Sequence, residues 1–196
     1  WLRYGANAPS SGEEWNLQAT RHFGSTGAFF FRLRSKTWEQ NSSSATGLAS
    51  VRKDQVRIRF VRKEGAWEIR SQGDANRYTD ENQQTFGWAI AQDVLFQHPQ
   101  TGWSISYRCV LFDAASYPNR LYSWEKDLPG SFSMPMLYGQ GLRHAVLLTK
   151  QWSPFFRTML KIGHTVLDDV ESSGTGMETS IGNARTEIRV LVRGTF

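Results

Sequence analysis

The sequence predicts an all-β protein: one antiparallel up-and-down transmembrane β-barrel of about twelve strands, an even number, with short periplasmic turns and long outer loops. Three observations predict it. Hydropathy alternates residue by residue along nearly every segment, the connections sort by length onto two sides, and tryptophans gather at segment ends. No segment longer than a turn carries an apolar period of about 3.6 residues, so almost no helix is expected.

Taken in order, residues 1–8 form the first candidate strand, a polar turn covers 9–14, and residues 15–23 form the second. Beyond the tight turn at 24–27, residues 28–38 set Phe29, Phe31 and Leu33 against Arg32, Arg34 and Lys36. That period of two marks a strand between unlike surroundings. A Ser/Asn-rich loop at 39–53 leads to 55–63, where Val56, Ile58 and Phe60 oppose Arg57 and Arg59. Glu64 and Gly65 make a two-residue hairpin turn into 67–71, and a polar loop runs on to Thr85. Residues 87–96 pair across 98–102 with 103–112, in which Trp103, Ile105, Tyr107, Cys109 and Leu111 oppose Ser104, Ser106 and Arg108. After a loop at 113–120, residues 121–127 and 131–138 read as short strands joined by Leu128, Pro129 and Gly130. Gly139–Gly141 is a brief loop; residues 142–151 and 155–167 then flank a turn at Ser153 and Pro154. A Gly/Ser-rich loop at 168–183 precedes the last strand, 185–196. It places Thr186, Ile188, Val190, Val192, Gly194 and Phe196 opposite Glu187, Arg189, Leu191, Arg193 and Thr195.

The connections give an independent check. Those at 24–27, 64–65, 98–102, 128–130 and 153–154 fall on one side and are all short. The alternate set, at 9–14, 39–53, 72–85, 113–120 and 168–183, is long apart from 139–141. Membrane barrels sort their loops in this way, and a soluble sandwich has no reason to. Trp15, Trp38 and Trp88 sit at strand ends on the long-loop side, and Trp67, Trp103 and Trp152 on the short-turn side. Indole at both rims matches the aromatic girdles of the membrane interface.

Composition agrees with this reading. Mean hydropathy is −0.49, and no apolar run reaches the ~18 residues of a transmembrane helix. A barrel strand shows lipid only every second residue and so is hydrophilic on average. Cys109 is the single cysteine, which excludes a disulfide framework and a thiolate metal cluster; on the apolar side of its strand it reads as a small apolar residue. The chain opens at Trp1 without a leader pattern, so it is read as mature, trimmed or partial. Residues 1–196 are taken as one barrel domain, or as the C-terminal part of a longer chain.

Residues 107–113, Ser116-Tyr117, Arg120-Leu121-Tyr122, Trp124-Glu125, Ser133-Met134-Pro135 and residues 138–141, with the closing segment, form a distinctive set. Over residues 103–196 it resembles the C-terminal barrel of Bacteroidota outer-membrane proteins labelled helix-hairpin-helix domain-containing; the earlier strands match by pattern alone. The resemblance implies an outer membrane, with the lipid bilayer and the barrel-assembly machinery as partners and other envelope proteins as further ones. An amphipathic last strand ending on Phe196 looks like the assembly signal of such barrels. The chain contains no helix-hairpin-helix motif, so contact with nucleic acid would run through a module absent from it.

Charge on the lipid face is costly, so Arg32, Arg34, Arg57, Arg59, Arg108, Arg189 and Arg193 are expected to face the lumen. They could select anions or phosphates, or pair with Glu68, Asp93 and Glu187 and plug the barrel. His22, His98, His144 and His164 are scattered; His164 with Asp168 and Asp169 is the one arrangement resembling a general-base pair. No metal spacing, P-loop or dinucleotide motif appears, and neither a catalytic residue nor a cofactor is assigned. The expected function is transport, in a porin-like manner, or a structural place in an envelope complex, with an anion or polyanion preference if the lumen is open. An outer-membrane barrel hydrolase is a second reading. A soluble ligand-binding barrel is a third, and it predicts apolar residues inside and arginines outside.

Overall fold

A computed structural model describes residues 7–42, 47–132, 134–168, 170–173 and 180–195. Alternation of apolar and polar residues over lengths of 11 to 17 residues draws nine segments into one antiparallel sheet. They are β1 (Gly12–Phe23), β2 (Gly27–Asn41), β3 (Leu48–Glu64), β4 (Trp67–Thr79), β5 (Gln84–His98), β6 (Trp103–Ala114), β9 (Gly139–Ser153), β10 (Phe156–Leu167) and β13 (Ala184–Gly194). Each pairs with its neighbour in chain order, an up-and-down meander whose outer edges are β1 and β13. The short connections at 24–26, 65–66, 99–102 and 154–155 fall on one rim, as expected. On the other rim the chain makes its long excursions, 115–138 and 168–183.

Four expectations need correction. Among the described residues nine of the twelve candidate strands join the sheet, and those at 121–127 and 131–138 do not. Residues 1–6 lie outside the described residues, as do Ser133, Asp169 and Phe196, so the first strand and the assembly signal are not among them. Second, the loops expected at 39–53 and 72–85 are mostly strand: Glu39 pairs with Ser50, Gln40 with Ala49, and Asp74 with both Arg57 and Ala89. Polar side chains do not break a ladder whose hydrogen bonds are all made by the backbone. Third, Trp38 lies on the charged face, its ring 6.3 Å from Tyr78 and beneath Lys36, so it belongs to no outer girdle.

The fourth correction is the largest. Residues 121–127 and 131–138 are not sheet strands. They contribute the two-residue pieces β7 (Leu121–Tyr122) and β8 (Met136–Leu137), which pair with each other, and a single bridge at Glu125. Residues 118–128 and Leu137 of the excursion instead lie against the charged face of the sheet. A single 3-10 turn, Tyr117–Asn119, starts it. Leu121 and Leu137 pack on Ala89, Ala91, Val110 and Phe112; Leu128 packs on Leu147 and Met159. The turn at Leu128-Pro129-Gly130 is real, with Ser131 N donating to Leu128 O, but it sits over the face of the sheet instead of at its rim, Leu128 buried against the sheet and Pro129 and Gly130 exposed. Two smaller pieces, β11 (Ser172–Ser173) and β12 (Ser180–Ile181), pair within the last excursion.

The two faces of the sheet are unlike. Leu17, Leu33, Ile58, Ile69, Ile90, Ile105, Leu111, Ile188, Val190 and Val192 are exposed on one of them. Asp93, Arg108, Arg143 and Lys161 are buried on the other, under the excursion.

Candidate functional site

Residues 118 to 127 cross the charged face at a steep angle to the strands, meeting them in sheet order. Pro118 O accepts from Lys53 of β3 at 2.5 Å, and Asn119 O from Asn76 of β4 at 2.9 Å. Ser123 Oγ accepts from Arg108 of β6 at 2.9 Å. Glu125 takes Arg143 of β9 in a two-pronged pair at 2.6 and 3.0 Å. Asp127 holds Lys161 of β10 at 3.2 Å and Arg189 of β13 at 3.0 Å. Beyond the 3-10 turn the segment runs extended: Leu121, Ser123 and Glu125 are buried, and Tyr122 and Trp124 between them are exposed. It therefore has a period of two, and Ser123, Glu125 and Asp127 all point down to the sheet.

Two glycines give the segment its room. A Cβ on Gly87 would meet Asn119 Cβ and O at 3.0 Å, and one on Gly163 would meet Glu187 Oε1 at 2.9 Å and an Arg143 terminal nitrogen at 3.0 Å. Gly163 thus lies below the bond that joins Arg143 to Glu187 at 2.8 Å. Glu187 also accepts from Arg189 at 3.0 Å.

Charge within this network cancels. Glu125, Asp127 and Glu187 face Arg143, Lys161 and Arg189, three of each sign. Lys161 lies between two carboxylates, 3.6 Å from Glu125 and 3.2 Å from Asp127, off line for a directed bond to either. Beside it Arg108 bonds both oxygens of Asp93 at 2.8 and 2.7 Å. The slot left between Asp93, Arg108, Trp124 and Lys126 holds about 10 Å3, the size of one water. Burial pushes the Lys126 ammonium below its usual range, with Arg70 adding repulsion. The paired groups of this half, four cations and four carboxylates, form a closed plug.

The half formed by β1–β4 differs. Arg32 sits in register with Arg57, Arg34 with Gln55, Lys36 with Lys53, and Arg59 with Phe30. Lys63 and Arg70 continue the set, against carboxylates from Glu14, Glu68 and Asp74 only. Those three are taken: Glu14 by Arg34 at 2.7 and 2.8 Å, Asp74 by Arg57 at 2.5 Å, and Glu68 by Arg70 and Lys63. Eight cations and three carboxylates leave this half strongly positive. A cavity of about 480 Å3 opens at its long-loop end and one of about 400 Å3 at its short-turn end. The second is lined by His22, Arg59, Lys63, Glu68 and Arg70.

All seven arginines singled out from the sequence fall on this charged face, but they are not one ring. Arg32, Arg34, Arg57 and Arg59 are neighbours. Arg108 and Arg189 are tied into the plug, and Arg193 stands apart, opposite Arg157. Of the carboxylates proposed to neutralise them, Asp93 pairs with Arg108 and Glu187 with Arg189, whereas Glu68 takes Arg70 and Lys63. Arg143, Lys161, Glu125 and Asp127 went unrecognised. In residues 142–151 the side bearing Arg143 also carries Ala145 and Leu147, so the strand shows no polar face to count. His164 Nδ1 meets Thr186 Oγ1 at 2.7 Å, so the imidazole is engaged by a hydroxyl on the apolar face. Tyr107 OH and His144 Nδ1 lie 2.8 Å apart on that same face. Among the described residues no group of His, Cys, Asp and Glu is placed to hold a metal ion. Comparison with family models, with curated proteins and with solved structures gives no match.

Proposed function

We propose that this sheet is the wall of a β-barrel in a bacterial outer membrane, and that the cationic half of its interior is an anion-preferring passage. The sidedness of burial carries the proposal. Ile90 and Ile188 are 59% and 64% exposed, while Glu125 and Lys161 are 2% exposed and Arg143 is 5%. Water as the outer solvent would favour the reverse, since buried charge is costly and exposed aliphatic surface gains nothing. Hydrocarbon as the outer solvent accounts for both. Trp15, Trp67, Trp103 and Trp152, all exposed, suit the two interfaces. The resemblance to barrels of Bacteroidota helix-hairpin-helix domain-containing proteins points the same way, and with it the bilayer and the barrel-assembly machinery as partners.

Nine antiparallel strands leave β1 and β13 running in the same direction. Closure into an even-numbered barrel therefore needs an odd number of further strands between those edges, and residues 1–8 are a candidate for one of them. The ion pairs of the plug occupy the β5–β13 side and only its start, Pro118 and Asn119, reaches β3 and β4, so ions would pass along β1–β4, between the two cavities. In planar bilayers under a salt gradient we expect an anion-selective reversal potential. Arg32→Glu together with Arg57→Glu should move it toward cation selectivity. Wild-type conductance with no preference for anions would refute the assignment. The closed neutral network favours a second reading, a structural component of an envelope complex, for which the same recording shows no conductance at all.

A further inference from the structure

We propose that the cavity at the long-loop end of β2–β4 is a binding site for a small organic anion that carries a ring, an oxyanion attached to a sugar or to a planar base. The inference rests on the reading that this face lines the barrel interior. At about 480 Å3 the cavity is of ligand size, and three of its lining cations, Lys36, Lys53 and Arg120, have no carboxylate within bonding distance among the described residues; Lys36 stands beside Glu14, which is already held by Arg34. The remaining guanidinium, Arg34, is satisfied by Glu14 and adds little attraction. No Asp or Glu lines the space.

The three cations are held in place by groups that leave their charge uncancelled. Arg120 donates to the Tyr122 hydroxyl at 2.9 Å and to Tyr117 O at 3.0 Å, and its guanidinium lies 4.1 Å from the Tyr117 ring centre. The hydroxyl contact holds the guanidinium above even its usual range, so its charge is permanent. Lys53 reaches Pro118 O, and Lys36 sits 5.7 Å from the centre of the Trp38 ring. Neutral acceptors and ring faces fix the geometry, and each cation keeps attraction to spare for an oxyanion. Trp38, Tyr117 and Tyr122 line the same space, and their flat faces are where a ring attached to that anion would rest. Two elements far apart in sequence build this site, β2–β3 below and the start of the plug above. A ligand there would clasp the plug to the cationic half.

The test is titration of the detergent-purified full chain, followed through tryptophan fluorescence. The probes are a nucleoside monophosphate, glucuronate and inorganic phosphate. A gel shift on heating, run on the same preparation, reports the barrel separately from the site. We expect saturable binding of one ring-bearing anion, more tightly than inorganic phosphate. Lys36→Gln, which removes no hydrogen bond of the fold, should weaken it about tenfold. Trp38→Leu should do so by a similar factor, about tenfold, while Arg62→Gln at the opposite rim leaves it unchanged. Tighter nucleotide binding identifies a base-bearing ligand, and tighter glucuronate binding an acidic sugar. Phosphate binding as tightly as either would overturn the ring contact. No saturable binding of any probe by a heat-modifiable sample overturns the site while leaving the barrel standing. Binding by a sample that is soluble without detergent and shows no heat shift would keep the site and remove the barrel.

Discussion

Glu125 is the residue on which the buried charge converges. Its side chain is 1% exposed, fully paired with Arg143 and close to Lys161. Burying such ions is costly, and their mutual attraction offsets the cost only while every partner stays. Glu125→Gln keeps the shape and removes the charge, leaving Lys161 with Asp127 and Arg143 with Glu187. We expect it to lower stability by about 3–5 kcal/mol, measured by urea unfolding in lipid vesicles. A cycle with Arg143→Gln should show the two substitutions strongly non-additive. A change within about 0.5 kcal/mol, the range of ordinary surface substitutions, would mean that Glu125 is not buried as described.

At the scale of elements, the plug is held by three leucines as well as by ions. Leu137, 2% exposed, packs with Leu121 against Val110 and Phe112. Leu137→Ala should cost about 2–5 kcal/mol and expose residues 115–138 to protease while β2–β6 stay protected. Uniform protection along the chain would contradict the plug. This element also marks where sequence reading stopped. Residues 121–127 read as a strand of the sheet; the backbone there is extended, with Ser123 and Glu125 buried on either side of the exposed Trp124, but it crosses the sheet instead of joining it. Alternation could not give the neighbour, because period two is a property of a strand and its surroundings, whether or not the strand joins a ladder. The strand ends failed for a related cause. Residues 39–41 and 72–79 are polar on both sides, so hydropathy falls silent while backbone pairing continues. Trp38 shows the same limit: its type suggested an interface, but its parity with Lys36 and Arg34 places it on the charged face. What was legible was the meander, the side of the short turns and the common face of the seven arginines.

For the whole molecule, the claim concerns which solvent touches which face. Ile90, in mid-strand on the apolar side, should tolerate charge badly: Ile90→Arg should cost about 2–4 kcal/mol in a bilayer, and a folded yield unchanged from wild type would count against the claim. The sole cysteine offers the most direct test without any substitution. Cys109 lies on the apolar face in mid-strand of β6, between Tyr107 and Leu111 and opposite Gln92 and His144. A small fluorescent label on its thiol, with the protein reconstituted in vesicles, can be quenched from the bilayer by brominated lipid or from water by iodide. Strong quenching by brominated lipid and almost none by iodide is the expected result for a lipid-facing Cys109. Iodide quenching with no effect of brominated lipid would put water on the apolar face and contradict the membrane barrel.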